Sequence, residues 1–116
     1  MKTRKINLID TFKVEVSEEN IEPNLNDNQV LVKVIKSGIC GSDLHYFRNA
    51  GLGQFRQELP MSLGHEASGY VVESRSKKFK SDDKVGIEPA LTCKNCSFCL
   101  SDRQNLCPDV IFLGAN

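Results

Sequence analysis

An excess of charge of either sign is missing from this sequence. Its 15 lysines and arginines balance 15 aspartates and glutamates, so no net field draws the chain onto nucleic acid or an anionic membrane, and neither is expected as a partner. Long apolar runs are missing too. The longest purely apolar stretch is residues 110–113, against the roughly 20 residues a membrane-spanning helix needs. Near the N-terminus Lys2, Arg4 and Lys5 are followed by Asn7 and Asp10, which interrupt the apolar segment a secretory signal requires. A cytoplasmic location is the expectation. Histidine is scarce, only His45 and His65 being present, and there is no internal repeat, low-complexity tract or heptad pattern.

What remains is ordinary globular usage, 40% hydrophobic and 26% charged, which excludes a disordered tail or a collagen-like repeat. With 116 residues there is room for one domain and not for a two-domain enzyme. Chains of this size bury roughly 60–70% of their unfolded surface, so the core is modest and cross-linking would help it.

Periodicity predicts a mainly β domain. Phe12, Val14 and Val16 alternate with Lys13 and Glu15, a strand with one wet face. Residues 30–35 are apolar or β-branched except Lys33, predicting a more buried strand after a loop over 20–28 containing Pro23. Ser42 is placed to cap a short helix over 43–48, closed by Gly51-Leu52-Gly53. A turn over 60–64 precedes a strand over 67–73, a charged exposed stretch over 74–83, a strand over 84–88, and a final strand over 110–113.

Between residues 93 and 107 apolar periodicity disappears and four cysteines take its place. Cys93, Cys96, Cys99 and Cys107 are spaced C-x2-C-x2-C-x7-C, which lets tight turns aim three thiolates at one ion while a longer arm brings the fourth. With every position filled by protein, such a zinc site is structural. Disulfides are the alternative in an oxidising compartment, and Cys107-Pro108 also resembles the end of an iron–sulfur run, although seven residues stand where three are required.

The fifth cysteine, Cys40, lies between Gly38 and Gly41 just before the helix, where a thiolate is favoured. In Leu63-Gly64-His65-Glu66, neighbouring side chains can reach one ion only if the backbone turns, which Gly64 permits. One thiolate, one carboxylate and one imidazole would offset the charge of zinc and leave a fourth position open for catalysis. On these residues alone the competing reading is a small core cysteine, a hydrogen-bonded turn histidine and a solvated glutamate.

Taken in order, residues 38–45 (GICGSDLH), residues 64–69 (GHEASG) and the four-cysteine lobe resemble the zinc-containing medium-chain alcohol dehydrogenases over nearly the whole chain. His45-Tyr46-Phe47, Pro60-Met61 and Ile87-Glu88-Pro89 are most similar to the polyol branch, sorbitol dehydrogenase and L-idonate 5-dehydrogenase. The resemblance implies a GroES-like, mainly β catalytic domain over 1–116, with a structural zinc lobe at 93–107. It implies a catalytic zinc at Cys40, His65 and Glu66, where Glu66 stands in place of the second cysteine of alcohol dehydrogenase and is either a ligand or a group just behind the ligands. It further implies that Ser42 and His45 relay a proton, that Asp43 orients the zinc-bound histidine, and that Tyr46 lines the substrate pocket.

The implied reaction oxidises a secondary hydroxyl of a small-molecule polyol or sugar acid to a ketone, with NAD or NADP held by a Rossmann domain in a homo-oligomeric parent protein. No such cofactor turn is present: Gly51-Leu52-Gly53-Gln54-Phe55-Arg56 lacks the third glycine, so the chain reads as a fragment that does not turn over alone. Arg75 stands where the family usually has glycine, and Ser81-Asp82 where it usually has Pro-Gly. The rival reading is a non-catalytic zinc-binding module that uses its lobe as an interaction surface.

Overall fold

The computed structural model describes residues 1–114. Strands β1 (Lys2–Asp10) and β2 (Lys13–Asn20) form an antiparallel hairpin. Along it Ile6 faces Val16 and Leu8 faces Val14, while Asn7 on the opposite face donates to Ser17 Oγ at 2.9 Å. Here alternation in the sequence predicts a strand only over 12–16, whereas the structure has β2 starting at Lys13 and a further strand, β1, before it. Phe12 instead sits in the turn with φ +61°, its ring edge-on to Phe47 at 5.3 Å. The pattern is obscured because most of this hairpin lies in water, with polar residues on both faces.

Strand β3 (Val30–Gly38) leads into helix α1 (Gly41–Asn49). The expectation of a buried strand over 30–35 does not hold: Val34 and Ile35 are each 52% exposed. The sheet to which β3 belongs carries grooves on its surface, one lined by Ile35, Tyr70 and Val85 and another by Val30, Val32 and Phe79, where a packed layer would be needed for burial. Helix α1 begins at Cys40 and not at the expected Ser42, because the extended backbone of Cys40 (φ −83°, ψ 158°) marks the cap. It ends at Ala50 in the left-handed region, and Gly51-Leu52-Gly53 belongs to the following hairpin of β4 (Gly51–Leu52) and β5 (Phe55–Arg56).

Where a simple turn was expected over 60–64, Met61–Ser62 forms a short strand, β6, that pairs with β1 at Leu8 and Asn7. Strand β7 (Glu66–Ser74) is central to a second sheet ordered β3-β7-β8, with β8 at Lys84–Gly86. Strand β9 (Ala90–Leu91), the short helix α2 (Ser97–Leu100), a 3-10 turn at Gln104–Leu106 and strand β10 (Ile111–Phe112) complete the elements among the described residues, with β9 and β10 pairing across the base of the cysteine lobe.

The core is small. Leu8, Tyr46 and Met61 form its buried centre, with Phe47, Leu59, Leu63 and Phe112 packed around it. The molecule is a flat disc of 42 × 40 × 21 Å. Its accessible surface is 8821 Å², compared with about 6,300 Å² for a compact protein of this mass. Stability is therefore concentrated in few residues. Leu8→Ala, at a site with no exposure, is expected to cost about 2–5 kcal/mol, read as a lowered urea midpoint. Val16→Ala on the same face, 65% exposed, should shift it by less than about 0.5 kcal/mol.

Candidate metal centres

The first centre is assembled by three elements. Strand β3 delivers Cys40 to the start of α1, where its N–H donates to Asp43 Oδ2 at 2.9 Å, as in one half of a capping box. Gly64, at φ +105°, turns the chain ahead of β7, and this turn lets the adjacent His65 and Glu66 serve one place. The antiparallel register then sets Glu66 opposite Gly38. The donor atoms of Cys40, His65 and Glu66 consequently all lie within 4.8 Å of one another.

Around this trio, Ser42 Oγ stands 3.3 Å from His65 Nε2. On the other side of the ring, His65 Nδ1 lies 3.6 Å from Asp43 Oδ1, and neither atom has a hydrogen-bond partner although both residues are buried. Phe112 of β10 packs edge-on against the imidazole at 5.5 Å. Glu66 is exposed, so the group opens to solvent on its carboxylate side.

Electrostatics suit metal ligation. Hydrogen bonds from Ser42, first from its hydroxyl and then from its backbone, hold the Cys40 thiol below its ordinary range, and His65 adds to the effect. Burial pulls His65 down, but Cys40, Asp43 and Glu66 together outweigh it and the net direction is upward. The Tyr46 hydroxyl is raised, chiefly by burial and then by Asp43 and Cys40.

These residues fit a divalent ion. A thiolate and a carboxylate supply two negative charges and the imidazole a neutral donor, a set zinc accepts. The orphaned Nδ1 and Oδ1 face each other at 3.6 Å, and a small closing movement would let a ligating histidine give its remaining N–H to that carboxylate. Three protein donors leave coordination incomplete, as in catalytic sites.

The second centre is the lobe. Cys93, Cys96, Cys99 and Cys107 bring their sulfurs within 4.8 Å of one another. Backbone N–H groups point at these sulfurs: Cys96 to Cys93, Cys99 to Cys96 and Cys93 to Cys107, each at 3.4 Å. Cys93 and Cys99 Sγ are 3.9 Å apart, against about 2.05 Å in a disulfide. Donors from the Asn95 and Cys96 backbone bring the Cys93 thiol down to about 7, whereas burial pushes Cys99 up to about 11. Four converging sulfurs served by N–H donors fit a closed tetrahedral zinc site.

Of the residues singled out from the sequence, Cys40, Ser42, Asp43, His65 and Glu66 meet at the first centre and the four lobe cysteines at the second. His45 is exposed on α1. Tyr46 is buried in the core cluster against Leu8 and Met61. Phe112 and Gly114 were not singled out for this site; Gly114 backs onto the Gly64 carbonyl just ahead of His65. Nothing in the local sequence connects them to it, because the contact is made through the β9–β10 pairing.

The chain is similar to known proteins over most of its length. The chain is 48% identical over 93 residues to sorbitol dehydrogenase of Bacillus subtilis, covering 78% of the chain and 26% of that protein. It is 39% identical over 102 residues to the L-idonate 5-dehydrogenase (NAD(P)(+)) of Escherichia coli, covering 88% of the chain and 29% of the relative. The crystal structure of L-idonate 5-dehydrogenase from Escherichia coli superposes with a TM-score of 0.88 at 36% identity, over 99% of this chain and 33% of that one. The chain thus spans about a quarter to a third of the length of these relatives. The family described as the alcohol dehydrogenase GroES-like domain matches residues 26–115, and the chain belongs to that family.

Proposed function

We propose that this chain supplies the zinc-binding part of the catalytic domain of a polyol dehydrogenase, oxidising a secondary hydroxyl of a polyol or sugar acid to a ketone with NAD or NADP as hydride acceptor. The observation that carries the proposal is the convergence of Cys40, His65 and Glu66 beside an unpartnered His65–Asp43 pair, separate from a second site made wholly of cysteine. The names of the relatives, sorbitol dehydrogenase and L-idonate 5-dehydrogenase, support the substrate class.

Zinc bound by Cys40, His65 and Glu66 would supply Lewis-acid polarisation of the substrate hydroxyl. The remaining work falls to the chain's own side chains. Asp43 fixes the orientation of the His65 ring from its Nδ1 side. Ser42, whose hydroxyl lies on the opposite side of the ring, would take the substrate proton while handing its own hydroxyl proton onward. His45 follows Ser42 by three positions on α1, the spacing that puts side chains on one helical face, and being exposed it can pass the proton to water. Tyr46, expected to line the substrate pocket, packs in the core against Leu8 and Met61 and enters this proposal only as the support beneath α1. A nicotinamide cofactor, for which none of these site residues forms a binding turn, would supply the hydride acceptor, and the 116 residues alone are expected not to turn over. Among the described residues no helix is long and apolar enough to cross a membrane, and we place the protein in the cytoplasm.

Metal analysis of the purified chain tests this reading. One ion at each of the two groups is expected, the ion at the first group lost with Cys40→Ala and the ion at the second with Cys96→Ala. A single ion indifferent to Cys40→Ala would defeat the enzymatic reading and leave a structural zinc module.

A further inference from the structure

Glycine inside a strand weakens it, so a strand glycine calls for a physical reason. Gly38 is the last residue of β3, and its φ lies outside the left-handed region, so backbone conformation does not demand glycine there. Space does. A Cβ built at this position would lie 2.6 Å from Glu66 Oε2, 3.2 Å from Glu66 Cβ and 3.7 Å from Glu66 Cδ. The three nearest atoms it would meet all belong to that one side chain. At Gly69 and Gly51, by contrast, the nearest atom met is a backbone carbonyl oxygen, of Lys33 and Phe55 respectively, so those glycines serve the fold.

The register explains the geometry. Gly38 and Glu66 are directly opposed on the paired strands, and the absent side chain on one leaves the space over which the carboxylate of the other lies. From there the carboxylate stays within 4.8 Å of the Cys40 and His65 donors. The atom that would clash most is the tip of a flexible, exposed side chain, free to swing into water at little cost to the fold.

We infer that Gly38 is a positioning residue for the open metal site: by having no side chain it keeps the Glu66 carboxylate over the end of β3 and within reach of the ion. The inference rests on the proposed site at Cys40, His65 and Glu66. A methyl group at position 38 displaces the carboxylate and leaves Cys40, His65 and both sheets in place.

Cobalt(II) titration of the metal-free chain tests it, with the thiolate-to-cobalt and d–d absorption bands as readout. Cys40→Ala identifies which uptake belongs to the open site. Gly38→Ala is expected to leave uptake by the four-cysteine lobe unchanged, to weaken uptake at the open site by about 10- to 100-fold, and to change its d–d spectrum. In a Glu66→Ala background, adding Gly38→Ala should change nothing further, since both remove the same interaction. If Gly38→Ala alone fails to fold, the Glu66→Ala background is expected to restore folding. Unaltered affinity and spectrum in Gly38→Ala overturn the inference, as does an equal loss of affinity or of folding in both backgrounds. Absence of any Cys40-dependent cobalt uptake by the unaltered chain would overturn the site itself along with it.

Discussion

Removing metal from the lobe, by chelation or by Cys107→Ala, is expected to unfold residues 93–107 while the two three-stranded sheets persist. The lobe has almost nothing else to hold it. Leu100 and Leu106 are 75% and 50% exposed, and the sulfurs of Cys99 and Cys107 are the main groups it buries. Apparent binding free energies for structural zinc in small modules are about 10–16 kcal/mol, far above what a four-residue helix and a single 3-10 turn contribute. Hydrogen exchange checks this directly: the amides of Cys93, Cys96 and Cys99, each 3.4 Å from a sulfur, should lose protection on metal removal. Retained protection in chelator would refute the metal's structural role. Uptake should also release protons and weaken as pH falls, since Cys99, with its thiol near 11, enters as the protonated form at neutral pH, while Cys93, near 7, begins to protonate there.

The second large effect concerns Cys40. A chimera in which residues 1–114 replace the matching segment of the Bacillus subtilis sorbitol dehydrogenase is expected to oxidise a polyol with NAD. Cys40→Ala in that chimera should lower kcat/KM by about 1,000-fold or more, because a Lewis acid contributes several kcal/mol to stabilising developing negative charge. Cys96→Ala should instead lower the amount of folded protein. An active chimera indifferent to Cys40→Ala would remove the catalytic role assigned to the first centre.

The two centres were legible in the sequence to different degrees. The lobe could be read from spacing because its ligands fall within fifteen residues and the geometry is local. Cys40 and His65 are 25 positions apart, and composition and periodicity could not join them; the motifs could, through resemblance. What periodicity missed follows from burial. Strand β1 has a single buried residue, Leu8, so its alternation barely registers, and Val34 and Ile35 look like core yet stand half in water. Cys40 as the helix cap was hidden because Ser42 is the better capping residue by type, while Asp43 Oδ2 rewards the earlier start by accepting the Cys40 N–H. Contacts from Phe112 and Gly114 depend on long-range pairing, which no local pattern encodes.

The flat shape reaches into calorimetry. With about 2,500 Å² more surface already in water than a compact chain of equal mass, unfolding hydrates less new apolar area, so the heat-capacity increment is small. The stability curve is correspondingly shallow, and denaturant acts through a low m-value over a broad transition. Warming and cooling the protein should therefore alter its free energy of unfolding less than its chain length suggests.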